Sequence, residues 1–282
     1  MNKQKPLTGE VICPIHSDRH VGSHIGLSPK KWHTFRGKER IELSPSPVQQ
    51  IINAQWEDSW NWIFKQQLPI VAFDNADGIE GDHNGIFGIW SKNPMEQAGV
   101  AIDILLPKRQ KCQRWYATKG TPAHVGEMGQ WDEYVAKELG ATTDQTDEFA
   151  SPHWKVNVSG TLWDVAHQGP RPGRSLHKFG DSVRAFGKDV VLRQLAQGNR
   201  PPDVIVRSHV HVAVHEIVKL YDHECHVIIT PALQGKTEYA TKISSEDDVA
   251  DIGIAWVKVC DGKVLDVDFR KLRLTASRTM TA

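Results

Sequence analysis

Five times before residue 212, an apolar run of strand length stops at a polar loop that carries Asp or His. Residues 10–15 lead into Ser17-Asp18-Arg19-His20, and residues 69–73 into Asn75-Ala76-Asp77-Gly78-Ile79-Glu80-Gly81. Residues 114–118 lead into Gly120-Thr121-Pro122-Ala123-His124, residues 161–166 into His167-Gln168-Gly169-Pro170, and residues 203–206 into Arg207-Ser208-His209-Val210-His211. A short apolar run bounded by turn-forming residues reads as a buried strand. Reactive side chains at the carboxyl ends of such strands are an α/β arrangement. Loops at one edge of a sheet converge, so the pattern predicts one shared site rather than five separate ones.

Helices are predicted between these strands. Ser46 reads as an N-cap and Pro47 as the first helical residue, with Val48, Ile52, Trp56, Trp60 and Ile63 on one face and an end near Gln67. Residues 97–108 and 130–139 form two more helices. Residues 175–197 form a long one, with Leu176, Phe179, Val183, Phe186, Val190 and Leu195 as its apolar stripe, although Gly180 and Gly187 weaken it. Residues 154–158 add a strand. Hairpins are expected around Tyr221-Asp222-His223-Glu224 and Asp261-Gly262. The stretch before Ser46 reads as a polar loop and residues 142–152 as a surface excursion. With no repeat, low-complexity tract or linker, residues 1–282 are expected to form a single domain, its last ten or so residues being polar and without pattern.

Fourteen histidines, several of them clustered, are many for this length. Asp18 with His20, and His209 with His211, are spaced i and i+2. In extended backbone such side chains face the same way, so each pair can grip one ion. Carboxylate and imidazole together suit Mn²⁺, Fe²⁺, Ni²⁺ or Zn²⁺ rather than Ca²⁺, and one carboxylate can bridge two ions. Any one of these histidines alone reads as a surface or hydrogen-bonded residue; the ordered set points to metal. His16 and His24 are taken as bystanders, and His215, His223 and His226 as solvated or structural. Gly81-Asp82 offers a second register for the bridging carboxylate. Asp77 is preferred because it follows the apolar strand directly.

The order and spacing of these segments resemble the calcineurin-like metallophosphoesterase superfamily, whose motifs run D-x-H, G-D-x-x-D, G-N-H-D/E, a lone H, then G-H-x-H. The match spans residues 11–211. The resemblance implies an α/β, calcineurin-like four-layer sandwich of two mixed sheets flanked by helices, with two divalent transition-metal ions, Mn²⁺ by preference and Fe, Zn or Ni otherwise. It makes Asp18, His20 and His211 ligands of one ion and His167 with His209 ligands of the other, bridged by Asp77. Ala76 stands where the family has Gly, and Glu80 where it has a second acid, neither being a direct ligand. The Asn that normally ligates the second ion has no counterpart, and Thr121 is the candidate oxygen donor in its place. The G-T-x-x-H form is similar to that of phage-type members, which implies a phage or prophage origin.

The activity implied is hydrolysis of phosphate esters by a metal-bridging hydroxide, with diesters narrowly preferred to monoesters and nucleic acid one candidate substrate. His124 is the candidate general acid, and Arg171 and Arg174 are candidate substrate contacts. An alternative is an accessory or nucleic-acid-binding protein whose metal site is structural or inactive. A carboxylic ester or amide hydrolase is disfavoured, because H-x-H-x-D-H is absent: His211 continues into Val212-Ala213-Val214. Lys plus Arg equals Asp plus Glu, so any attraction for phosphate must be local. Trp32, Trp90 and Trp131 are candidates for stacking bases but read first as packing residues. Four cysteines without a C-x-x-C pair suggest reduced thiols, and no stretch reaches the roughly 18 apolar residues of a membrane span. A cytoplasmic protein without a membrane partner is the expectation.

Overall fold

In the computed structural model the described residues are 6–82, 88–173, 178–235 and 250–273. β1 (Glu10–His16) is buried from its second residue onward. A small hairpin follows, β2 (Trp32–Arg36) with β3 (Glu39–Leu43), in the stretch expected to be a polar loop. Its sequence is mostly polar, and Trp32 and Thr34 of β2 are buried. α1 (Pro47–Lys65) opens on Ser46, whose hydroxyl accepts from the Gln49 N–H while the Gln49 side chain accepts from the Ser46 N–H. β4 (Val71–Asp74), α2 (Pro94–Arg109), β5 (Arg114–Thr118), the single turn α3 (Pro122–Val125) and α4 (Gln130–Glu138) come next. β6 (Ala150–Ser151) interrupts the expected surface excursion, and both its residues are buried beside β5.

The second half contains β7 (His153–Val158), β8 (Thr161–Ala166), α5 (Asp181–Ala196), β9 (Val204–Arg207), β10 (Val214–Leu220), β11 (His223–Ile229), β12 (Asp251–Cys260) and β13 (Lys263–Arg273). α5 is shorter than its sequence pattern. It starts after Gly180, whose φ of 91° is left-handed, and Phe179 and Leu195 are exposed. Gly187 has a packing reason for its place, because a Cβ there would lie 2.4 Å from Val227 Cγ2.

Two mixed sheets result, ordered β13-β12-β1-β4-β5-β6 and β10-β11-β9-β8-β7. β1, β4, β5 and β6 run parallel in the first, and β8, β9 and β11 in the second. Ile15, Phe73 and Val257 from the first sheet share one apolar core with Trp163, Val206 and Ile228 from the second. The Phe73 and Trp163 rings stack there with centroids 4.7 Å apart. On its other face the first sheet carries Ile12, Ala72 and Trp115 against Ile52, Trp56 and Trp60 of α1, Leu105 of α2 and Val135 of α4. On the second sheet, Val183 and Val191 of α5 cover Ile205 and Val227. Each such side chain, fully buried, contributes roughly 1.5–3 kcal/mol. Trp32 and Trp90 belong to this packing, their rings 5.5 Å apart. Among the described residues no helix is long and apolar enough to cross a membrane.

Candidate metal centre

The loops that follow β1, β4, β5, β8 and β9 meet at one edge of the two sheets. Main-chain bonds tie them directly: the Asp18 N–H donates to Ala76 O, His20 N–H to Asp77 O, and Ser208 N–H to His167 O. A belt of small polar side chains lies beneath. Asn75 donates to Ser208 Oγ at 2.5 Å and to Ala166 O at 3.1 Å, and accepts from Thr118 Oγ1 at 2.8 Å. The Thr230 hydroxyl is shared between Ser17 and Ser208 at 2.9 and 2.7 Å. Arg19, the middle residue of Asp18-Arg19-His20, turns down into the core. There it pairs with Asp74 and reaches His16 Nδ1 at 3.0 Å, and the His16 ring lies among Trp56, Trp60 and Trp115. His16 is thus an anchor of the loop and stands outside the donor groups. Burial pushes its imidazole down to about 3.

The backbone that presents the donors is not the extended chain that the i, i+2 spacing suggests. Asp18, His20, Asp77, His209 and His211 all have left-handed φ, between 47° and 75°, and so does Ala76 at 70°. Each β-carbon in that region costs about 1–2 kcal/mol. Strain of this kind concentrates at functional sites, where surrounding structure enforces it. It turns Asp18 and His20, and likewise His209 and His211, inward at a bend.

Three groups of donor atoms result, each with all its atoms within 4.8 Å of one another: Asp18, Asp77, His167 and His209; Asp18, His20 and His211; His20, Asp77 and His124. Buried Asp/His clusters of this kind can hold a metal ion. Asp18 as well as Asp77 belongs to two groups, so two carboxylates lie between the ligand sets where the family pattern implied one.

Two observations fit a cation. Nδ1 of His167 lies 2.7 Å from the Asn75 carbonyl, which only accepts, so Nδ1 carries a hydrogen and the other nitrogen meets Asp77 Oδ2 at 2.9 Å. A neutral ring would aim its lone pair at that carboxylate, a contact that needs a proton or a metal. Secondly, Asp18 Oδ1 is fully buried without a hydrogen bond, ringed by Nε2 of His211 at 3.3 Å and of His20 and His167 at 3.9 Å. The electrostatics agree. Burial alone would lower the His167 pKa, but Asp77 and Asp18 push it up to about 10. Burial would likewise raise both carboxyls, yet His167 with His211 lowers Asp18, and His167 with His209 lowers Asp77.

The third motif serves Asp77. Thr121 donates to its carboxylate twice, from N–H to Oδ1 at 2.7 Å and from Oγ1 to Oδ2 at 2.6 Å. Thr121 therefore holds the carboxylate expected to bridge. A Cβ on Gly120 would lie 2.1 Å from Asp77 Oδ1, which explains the glycine. His124 sits on α3 with Nδ1 donating to Glu80 O at 2.9 Å, its ring centroid 4.4 Å from that of His20. Burial first, then His20, pushes His124 down to about 4.

Two further carboxylates serve the site: Glu80, read from the sequence only as a motif acid that is no direct ligand, and Asp132, which the sequence reading did not single out. Glu80 Oε2 stands at ion-pair distance, 3.0 Å, behind His20 Nδ1 and accepts from Gln234 at 2.7 Å. Despite its burial, His20 is raised by Glu80. Buried Asp132 accepts from Gly78 N–H at 3.2 Å and Gly120 N–H at 2.9 Å, clamping the second and third motif loops together. Burial, with Asp77 and Asp74, pushes Asp132 up to about 7. An isolated Asp within a helix gives no sequence signal for such a role, whereas the acid at Glu80 lay inside a motif.

Other candidates fall elsewhere. Asp82 is exposed and outside the donor groups, whereas Asp77 stands in two of them. Arg171 is exposed, and its carbonyl accepts from Ser182. Arg174, His83 and Leu176 lie outside the described residues. His24 is exposed. His215 and His226 stack on each other, with a 3.0 Å contact between ring nitrogens, and His223 reaches Pro202 O.

No family model and no curated protein matches this chain. Among solved structures, a Thermotoga maritima protein determined by solution NMR aligns over 93% of this chain and 99% of its own, with 12% identity and a TM-score of 0.36. Sulfate thiohydrolase SoxB from Thermus thermophilus, solved with glycerol, aligns over 96% of this chain and 58% of its own, at 11% identity and TM-score 0.40. A hypothetical protein from Thermus thermophilus aligns over 94% of this chain and 99% of its own, at 8% identity and TM-score 0.39.

Proposed function

We propose that this chain is a dinuclear metal-dependent phosphoesterase with a calcineurin-like four-layer sandwich, acting on phosphodiesters, nucleic acid included. The observation that carries the reading is the pair of donor groups that share Asp18, with Asp77 of the first group also within reach of His20 of the second. Asp18, His20 and His211 would hold one ion and His167 with His209 the other, with Asp77 between them. Mn²⁺ is the preferred ion, and Fe, Zn or Ni also suits this mix of carboxylate and imidazole. When bound, two divalent ions would supply Lewis acidity and a nucleophile at neutral pH.

The chain's own residues do the rest. Thr121 fixes both oxygens of Asp77 in one orientation, and Asn75 and Glu80 do the same for the rings of His167 and His20. With Nδ1 of His124 tied to the Glu80 carbonyl, Nε2 is the atom that would deliver a proton to the leaving oxygen. The buried carboxylates keep the charge of the site from being screened by water. Mn²⁺-loaded protein is expected to hydrolyse bis(4-nitrophenyl) phosphate, to lose that activity on chelation and to regain it on adding Mn²⁺. Loaded protein without hydrolysis of any phosphodiester would leave a metal-stabilised binding module instead.

A further inference from the structure

Past the last of the motifs, residues 231–235 run as a buried segment against the first motif loop. Leu233 N–H donates to Asp18 O at 3.0 Å and Gly235 N–H to Ile25 O at 2.8 Å, with Gln234 bridging Gly26 in antiparallel register. Ala232 N–H donates to Asp251 O at 3.0 Å, and Asp251 N–H in turn to His211 O at 3.0 Å. Between these anchors the buried side chain of Gln234 donates through Nε2 to Glu80 Oε2 at 2.7 Å. That same oxygen stands 3.0 Å from His20 Nδ1. Asp18, His20 and His211 are thus each reached from residues 232–234 or from Asp251, His20 through Glu80 and the other two through the main chain. The other ligand set is supported differently. Asn75 O receives His167 Nδ1 and Thr121 binds both oxygens of Asp77, so these supports lie within the motif loops themselves.

We propose that Gln234 is a positioning residue for the ion assigned to Asp18, His20 and His211, and that it sets the affinity of that ion without setting that of the other. The inference rests on the dinuclear reading. A histidine that ligates through Nε2 keeps its hydrogen on Nδ1, and an acceptor behind Nδ1 fixes both the tautomer and the ring orientation. In His20 the nitrogen on the Asp18 side is Nε2, 3.9 Å from Oδ1, so Glu80 stands at the nitrogen that must carry the hydrogen. A glutamate has several side-chain torsions, and each donor to its carboxylate narrows them. The Gln234 amide does so at the oxygen that faces His20. Leu233, its neighbour, holds the Asp18 carbonyl, so one short segment braces both residues of the first ligand pair in their left-handed conformations.

The test titrates Mn²⁺ alone, by calorimetry, into two single-ion backgrounds. His209→Ala leaves the set of Asp18, His20 and His211, and His211→Ala leaves the set of His167 and His209. Gln234→Met keeps the length of the side chain and removes its donor. Loss of an outer hydrogen-bond partner costs a metal site roughly 10–100-fold, and Gln234 acts one residue further out, so affinity in the His209→Ala background is expected to fall about tenfold. In the His211→Ala background it should change less than about twofold, and so should the effect of Gln234→Met beside Glu80→Met, where no carboxylate is left for the amide to hold. Equal falls in the two backgrounds, no fall in His209→Ala, or an undiminished fall beside Glu80→Met overturns the proposal and leaves Gln234 as a packing residue. Tm of the metal-free variants checks the fold, and Gln234→Leu replaces a methionine variant that does not fold. Where a background binds no ion, the two binding steps of wild type are compared instead, and only one of them should weaken. Should wild type bind a single ion, the dinuclear reading falls separately. Gln234→Met must then weaken that ion through Glu80, and an unchanged affinity overturns the inference; a wild type that binds no Mn²⁺ overturns both.

Discussion

Asp77→Asn is expected to reduce phosphodiesterase activity by on the order of 10³-fold or more and to strip metal from the protein. Loss of a mere outer hydrogen-bond partner costs a metal site roughly 10–100-fold. Asp77 should exceed that, because its carboxylate meets His167 at 2.9 Å and His209 at 3.8 Å and shares a donor group with His20 and His124. The amide keeps the shape, and one oxygen can still accept from Thr121, so the fold should survive. What is lost is the charge that two cations would share. Asp82→Asn, on an exposed side chain outside the donor groups, is the matched control and should change activity less than twofold. Elemental analysis and steady-state kinetics on both variants check this, and the reverse order of effects would move the bridging role to Gly81-Asp82.

His124→Ala is expected to retain both metals and to lose activity in proportion to how much the leaving group needs a proton. An alkoxide or nucleoside leaving group needs one, whereas a nitrophenolate is already stable near neutral pH. The loss should be about 10²-fold on an alkyl or nucleoside phosphodiester and much smaller on a nitrophenyl ester. The structure makes this a demanding claim. Burial and His20 hold the His124 imidazole down at about 4 in the protein alone, so its proton must be stabilised by the bound phosphate. His124 also stands in a donor group with His20 and Asp77. Equal losses on both esters, together with depleted metal, would make it a ligand instead.

The positions of the donors were legible because each stands just past a buried strand, and a buried strand is written locally in apolar residues. Asp18 follows β1, Asp77 follows β4, His167 follows β8 and His209 follows β9. Their conformation was not legible. The i, i+2 spacing suggested extended backbone, but the alternating left-handed residues are set by cross-loop bonds such as Asp18 N–H to Ala76 O and His209 N–H to Asp18 Oδ2. The β2–β3 hairpin was hidden by its polar composition. Asp251, whose N–H holds His211 O, comes to the His209–His211 loop because β12 pairs with β1 in the first sheet. Pairing between the two ends of the chain leaves no local pattern to read.

Metal stoichiometry is the most direct test of the proposed dinuclear centre. Wild-type protein, stripped with chelator, reloaded with Mn²⁺ and freed of excess, should retain two ions per chain by elemental analysis, because two donor groups meet at Asp18, with Asp77 in the first of them and within reach of His20 of the second. A reproducible count of one or fewer in protein that hydrolyses phosphodiesters would contradict it.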